Sequence, residues 1–304
     1  MSKTVIVILG PTGVGKSDLA IAVARHFQTQ IISADSRQIY RELSIGTAVP
    51  SPEDLAKVPH HLIQSHSIQQ YYSAARYEAE ALQVAEKLFA SNETVVVTGG
   101  SMMYIDAFCN GMDDIPDANM TIRRQLMAEL EEKGLETLQL KLKTLDPVYY
   151  EQVDLKNHKR VLHAVEICLS SGRTYSSMRT EQKKQRPFRI LKIGLTRDRT
   201  ELYDRINQRV DKMMEMGLEK EARSVFGFRG QNSLNTVGYK ELFAFFDGET
   251  DLTTAVELIK RNSRHYARKQ LTWFRRDQAI HWFHPEPETE IIRFIEEQIN
   301  QYGN

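Results

Sequence analysis

The sequence predicts an α/β fold: a parallel sheet core flanked by helices, with a small all-helical domain inserted into it. Three observations carry this. Apolar runs at Val5–Leu9, Thr94–Thr98 and Phe188–Leu195 read as buried strands, and amphipathic helical patterns alternate with them. The first two runs end in Gly-rich or hydroxyl-bearing turns, as strands at the ligand edge of an open α/β sheet do. From Pro116 to Pro187 the strand runs vanish and helical patterns take over. Residues 1–115 and 188–304 are therefore expected to form the core, and 116–187 the insertion.

The first run leads directly into Gly10-Pro11-Thr12-Gly13-Val14-Gly15-Lys16-Ser17. This is the spacing of a phosphate-binding P-loop, with a strand before it and a helical stripe (Leu19, Ala20, Val23, Ala24, Phe27) after it. The core is accordingly expected to be P-loop NTPase-like. Glycines let the backbone turn with φ > 0 and close on an anion. The successive N–H groups and the positive helix end then hold phosphate oxygens. Lys16 adds a point charge, and the Ser17 hydroxyl is placed to reach a Mg²⁺ that bridges two phosphates. The pattern calls for a ligand with two or more linked phosphates.

Gln30–Asp35 reads as a short second strand whose polar end, Asp35-Ser36-Arg37-Gln38, is aimed at the same edge; Asp35 can equally cap the turn that follows. Residues 41–72 are turn-rich, and His60 and His61 there read as structural rather than metal-binding. A helix over Ser73–Ala90 precedes the strand Thr94–Thr98. Gly99-Gly100-Ser101 then opens a helix at Met102, with Ser101 either capping it or facing a ligand. In the insertion, helices are expected at Ile122–Lys133, Leu135–Leu145 and Lys159–Ser171, the last stopped by Gly172. After the strand Phe188–Leu195, a helix from Arg199 to Gly217 carries Arg205 and Arg209 on one face. A long helix spans Asp251–Trp273, with Leu252, Ala255, Val256, Ile259, Tyr266 and Trp273 as its buried stripe. A strand at Ile280–Phe283 and a helix from Glu288 close the chain.

Over 304 residues Lys+Arg and Asp+Glu are both 40, so the net charge of +0 gives no hint of a polyanionic partner. Local clustering does. Lys156, Lys159, Arg160, Arg173, Arg179, Lys183, Lys184, Arg186, Arg189 and Lys192 face only Glu166 and Glu181 in their stretch. From Leu258 to Arg276 the residues Lys260, Arg261, Arg264, Arg268, Lys269, Arg275 and Arg276 have no acidic counterpart. Such stripes cost self-repulsion unless an anion meets them, which suggests a nucleic-acid backbone. Cys109 and Cys168 form no paired motif and read as reduced core thiols. A strand begins within four residues of the N-terminus, leaving no room for a signal peptide, and no apolar run approaches a membrane span. A soluble cytoplasmic protein is expected.

Taken together, ordered blocks along nearly the whole chain resemble the tRNA dimethylallyltransferases, also called tRNA isopentenyltransferases. They are Gly10–Ser17, Ser33–Tyr40, Gly46–Pro50, Gly99–Tyr104, Asn157–Glu166, Thr236–Glu241 and Arg268–Arg275. Ser101 stands where Thr is usual in that family, and His163 where Arg is common. The resemblance implies transfer of a dimethylallyl group from dimethylallyl diphosphate to N6 of the adenosine 3′ of the anticodon, in tRNAs reading codons that begin with U. Pyrophosphate would be released. It implies Asp35 as general base, with Ser101 positioning the acceptor and Lys16 with Arg209 or Arg205 on the diphosphate. Ser36, Arg37 and Gln38 would read the flipped base. Arg123, Asn157, Lys159, Arg160 and His163 would clamp the anticodon stem-loop, with Gly238, Lys240, Lys269 and Arg275 also at the RNA. Mg²⁺ and a monomer are implied as well. Three other readings share parts of the pattern: a small-molecule P-loop kinase, an isopentenyltransferase for free adenine nucleotides, and a non-catalytic RNA-binding protein.

Overall fold

The computed structural model describes residues 3–117, 119–180 and 182–301; Glu181, counted above among the charges, lies outside them. The first strand, β1 (Thr4–Leu9), is fully buried. It alternates between two apolar layers: Ile6 and Ile8 join one, Val5, Val7 and Leu9 the other. The helix α1 (Lys16–His26) leaves the P-loop through Gly15, whose φ of 108° places it in the left-handed region. β2 (Ile31–Ser33) follows, then α2 (Pro52–Lys57) and β3 (His60–His61). α3 (Ala74–Leu88) starts on the cap Ser73, and β4 (Thr94–Gly99) runs into α4 (Met102–Asn110).

The second half of the core begins with β5 (Arg189–Leu195) after the inserted helices α5 (Met120–Lys133), α6 (Leu135–Leu145), α7 (Pro147–Gln152), α8 (His158–Ser171) and α9 (Tyr175–Met178). It continues with α10 (Arg199–Glu215), α11 (Leu218–Val225), α12 (Tyr239–Phe246) and α13 (Leu252–Phe274). β6 (Ile280–Phe283) and α14 (Glu288–Asn300) end it. The six strands form one parallel sheet in the order β3-β2-β4-β1-β5-β6. Ile39, Leu43, Val210, Leu218, Leu242 and Ile259 belong to a third apolar cluster, in which α10 to α13 pack on the segment after β2.

The chain divides into two compact units, residues 1–109 with 186–304, and residues 110–185. These bounds lie a few residues before the change in sequence texture. On the core side, Arg186 is pulled in: it donates to the carbonyls of Phe108 (2.8 Å) and Ala107 (2.7 Å) and pairs with Glu78 at 2.8 Å. The second unit is a helical bundle centred on Leu126, Leu138, Leu142, Val161, Leu162 and Val165. In it the fully buried Asp146 caps α7 through Tyr149 N (3.0 Å) and accepts from Ser176 N (2.6 Å) and Oγ (2.8 Å). The elements missing from the sequence reading are short: α2, β3, α7 and α9 have two to six residues, and α11 and α12 eight each. No helix among the described residues is long and apolar enough to cross a membrane.

The sheet's carboxyl edge depends on close contact between β2 and β4. Ala34 N donates to Thr98 O (2.6 Å), and Ser101 N to Ala34 O (3.2 Å). A Cβ on Gly99 would sit 2.1 Å from Ala34 O, against main chain that cannot move aside. Gly99→Ala is therefore expected to cost about 3 kcal/mol by overpacking, read as a fall in the urea midpoint. A midpoint equal to the parent's would show that the two strand ends are not held so tightly.

Candidate active site

One cavity of ≈ 350 Å³ opens at this edge, and it collects the sequence's separate signals. Thr12, Lys16 and Ser17 enter it from the P-loop, Asp35 to Gln38 from the end of β2, and Gly99 to Ser101 from the end of β4. Ile206, Arg209, Val210 and Met213 come from α10; Ser263, Tyr266 and Gln270 come from α13.

The P-loop is held from inside. Lys16 Nζ donates to Pro11 O (2.8 Å), and Arg209 Nη1 to Thr12 Oγ1 (3.2 Å). Thr12 N donates to Gln270 Oε1 (2.9 Å), whose Nε2 in turn donates to Gly100 O (2.7 Å). Burial first, and the Arg209 charge after it, lower the Lys16 ammonium from 10.5 to about 7, with Asp35 opposing both. Burial also lowers Arg209, again against Asp35. Two half-buried cations thus share a pocket with one carboxylate, an arrangement that gains energy when an anion enters. Arg205 reaches the same loop from outside, with Nε on Gly13 O at 3.0 Å. Of the two arginines, it is Arg209 that lines the cavity.

Asp35 fulfils both of its sequence readings. Its Oδ1 accepts from Arg37 N (2.8 Å) and Gln38 N (3.2 Å), which fixes the carboxylate while capping the turn. Ser101 does not cap α4 with its side chain. Its Oγ accepts from Ser36 N (2.7 Å) and donates to Ser36 Oγ (2.9 Å), and so holds the Asp35 turn in place.

Two of the cavity residues also brace its wall, and one expectation needs correction. Arg37 lines the cavity, but its guanidinium is spent on main-chain carbonyls: Asn232 (3.3 Å), Ser233 (3.0 Å) and Asn235 (3.5 Å). Gln38 likewise donates to Thr47 O (3.2 Å) and Ala48 O (2.9 Å), so both residues build the wall. The stripe of α13 was misread at Tyr266, which is 36% exposed and lines the cavity instead. The buried positions of that stretch are Ala267, Gln270 and Phe274, because the helix turns Gln270 toward the P-loop. Trp273 is half-buried and donates to Asp106 Oδ2 (2.8 Å). Burial and the Asp35 charge push the Tyr266 hydroxyl up to about 12, although much of the side chain meets solvent. Tyr266 and Gln270 are among the cavity residues that sequence reasoning missed. Their one signal was a polar residue and a phenol on the inward side of an amphipathic helix.

The basic positions divide in the same way. Arg189 donates to Gln298 O (2.5 Å), Lys192 pairs with Asp277 (2.6 Å) and Lys260 with Asp211 (2.8 Å), so these stabilise the core. In the helical unit, Asn157 caps α8 through Arg160 N (3.3 Å). Arg123 pairs with the fully buried Glu166 at 2.8 Å, and His163 lies 3.7 Å from the same carboxylate oxygen, edge-on to Tyr175. Burial raises the Glu166 carboxyl and lowers the His163 imidazole. Lys159 and Arg160 are exposed, as are Lys269 and Arg275. Gly238 starts α12 with a φ of 99°, and Lys240 follows it at the cavity rim.

Residues 38–277 match the family model described as IPP transferase. The chain belongs to that family. It is 60% identical over 292 residues to tRNA dimethylallyltransferase 1 of Bacteroides thetaiotaomicron, covering 96% of this chain and 95% of that one. With tRNA dimethylallyltransferase 1 of Bacteroides fragilis it shares 58% over 298 residues, 98% and 99% of the two chains. Among solved structures, the full-length tRNA isopentenylpyrophosphate transferase of Bacillus halodurans superposes with a TM-score of 0.72 at 33% identity, over 98% and 97% of the chains. A eukaryotic dimethylallyltransferase acting on tRNA gives a TM-score of 0.76 at 28% identity, over 90% of this chain and 70% of that one. In this IPP transferase the family-matched segment begins at Gln38, so the P-loop and Asp35 lie outside it while Ser101, Arg209 and Gln270 lie within.

Proposed function

We propose that this IPP transferase moves a dimethylallyl group from dimethylallyl diphosphate to N6 of the adenosine 3′ of a tRNA anticodon, releasing pyrophosphate. A single observation carries the reading: one cavity contains a phosphate loop with two half-buried cations and a carboxylate fixed by its own turn. The relatives named above support tRNA as the acceptor.

The chemistry follows from the placement. N6 attacks C1 of the dimethylallyl group, the C1–O bond breaks, and negative charge grows on the departing diphosphate. Lys16, Arg209 and the first-turn amides of α1 meet that charge. The adenine nitrogen is a poor nucleophile and sheds a proton as the C–N bond forms, and Asp35 receives it. Ser101 acts through Ser36, holding the Asp35 turn at its distance. The apolar end of the cavity, with Ile206, Val210, Met213 and Ile259, suits a five-carbon chain. An adenosine stacked in an anticodon loop has to be flipped out to enter.

The hydroxyl of Ser17 lines the same cavity and is a hard oxygen donor beside the phosphate loop, so it fits a Mg²⁺ held mainly by phosphate oxygens. When bound, the ion would neutralise charge on the diphosphate. Lys159, Arg160 and Lys269 are exposed cations suited to the RNA backbone, with Arg123 held ready by Glu166. A cytoplasmic monomer completes the proposal.

The test is a transfer assay with labelled dimethylallyl diphosphate, offered unmodified tRNA, AMP and ATP in parallel. Label in the tRNA alone, mapped to the base 3′ of the anticodon, is the expected result. Label in AMP or ATP would shift the chain to nucleotide prenylation, and transfer of phosphate from ATP would return it to the kinases.

A further inference from the structure

A second cavity, of ≈ 490 Å³, lies on the far side of α13 from the active site. Its lining includes Arg197, Arg199, Arg268 and Arg275, with Tyr203 and His284. On α13 the cavity residues Ser263, Tyr266 and Gln270 fall on one face. Arg264, Arg268 and Arg275 recur four and seven residues apart on the other, at 100° per residue. The arginines are crowded: Arg199 lies 5.2 Å over the Tyr203 ring, and Arg264 approaches the same ring at 5.9 Å.

The charge there is incompletely answered. Arg197 is paired with Glu201 and with Glu286 (2.9 Å), and His284 stands 3.5 Å from Glu201. Arg199, Arg268 and Arg275 have Asp198 as the remaining acidic group in the lining. Asp198 makes no side-chain cap on α10, whose 17-residue length ends its positive pole at this cavity. Leu202 and Leu271 close part of the wall, and the exposed Arg199, Arg268 and Arg275 border it. The volume falls in the range of small-ligand sites, and guanidinium groups suit phosphate oxygens in pairs.

The recess also touches the P-loop. Arg197 Nε donates to Val14 O (2.9 Å), and its Nη2 stands 3.6 Å from where a Cβ on Gly15 would be. The geometry points to a second diphosphate site, formed by Arg199, Arg268 and Arg275 and joined through Arg197 to the loop that holds the first. Its ligand is a diphosphate group, either that of the intact donor or that of the released pyrophosphate. The choice of ligand rests on the function proposed above; the existence of an anion site does not.

Calorimetric titration of the full chain with inorganic pyrophosphate tests this. Two equivalents are expected to bind. Arg199→Ala with Arg268→Ala is expected to weaken one of them at least tenfold and leave the other within twofold, while Lys16→Met removes the other. Circular dichroism of each variant confirms folding. A parallel titration with dimethylallyl diphosphate, without RNA, separates the sources: two equivalents mean a waiting place for donor, and one means a site for product. One equivalent of pyrophosphate on the parent chain overturns the proposal. So does a double variant that still binds two but shows a raised tRNA KM and a flatter salt dependence, which would make the recess an RNA-backbone contact. A chain that binds two equivalents yet transfers no prenyl group would keep this site and lose the proposed function.

Discussion

Asp35→Asn is expected to lower kcat about 10²–10⁴-fold, the range for loss of a general base, while tRNA affinity stays within a few-fold. The choice of Asn follows from the structure. Oδ1 of Asp35 is a turn cap for Arg37 N and Gln38 N, and an amide oxygen preserves that acceptor. Ala would remove the cap as well, at about 1 kcal/mol, and would confuse a structural loss with a chemical one. Single-turnover rates with saturating donor and tRNA, beside a direct tRNA binding curve, separate the two. Turnover near the parent's rate would exclude Asp35 as the base, and a collapse of tRNA binding with intact melting would make it a reader of the RNA.

Lys16→Met is expected to do two opposite things: reduce kcat/KM by at least about 10²-fold and make the empty protein more stable. The ammonium is buried beside Arg209, and its pKa falls from 10.5 to about 7 on folding. Between those two values the unfolded chain holds the extra proton, so this residue's contribution to stability rises with pH across that window. Below about pH 7 the cost of the buried cation is fully present; above 10.5 both states are neutral and it disappears. Replacing the lysine should therefore raise Tm most at pH 6–7, by roughly 2–5 °C for a relief of about 1–2 kcal/mol, and progressively less toward pH 10. Pyrophosphate should reverse the order, stabilising the parent through both sites and the variant through the second site alone. A variant that melts below the parent at pH 6.5 would show that the Pro11 carbonyl contact outweighs the burial penalty.

The parts of the site that sequence reasoning found are those whose chemistry is written in neighbouring residues. The P-loop is a run of eight, and its strand and helix adjoin it. Asp35 and Ser101 could be located because each follows a strand of the parallel sheet, where chain direction alone puts side chains at the ligand edge. Tyr266 escaped because an amphipathic stripe is about a hundred degrees wide. A residue at its margin can face a core or a cavity with the same spacing. Charge runs misled for a different reason. Arg186 and Lys159 look alike in sequence, but the partner that buries Arg186 is Glu78, 108 residues away. The function of Gln38 was hidden likewise, since its bonds go to carbonyls that carry no side-chain signature. The two-residue β3 is too short for any period to declare itself.

The bridge made by Gln270 has a consequence for how this chain can change over generations. Its amide joins the main chain at Thr12 to the main chain at Gly100, and a Cβ on Gly100 would lie 2.4 Å from its nitrogen. A methyl group at position 100 is harmful while glutamine occupies 270, and a shorter side chain at 270 strands two buried polar groups while glycine occupies 100. Neither substitution has a neutral first step. The two positions are epistatic: a lineage leaves this arrangement by passing through a weakened intermediate, or it keeps both residues together with the strand-end geometry they enforce.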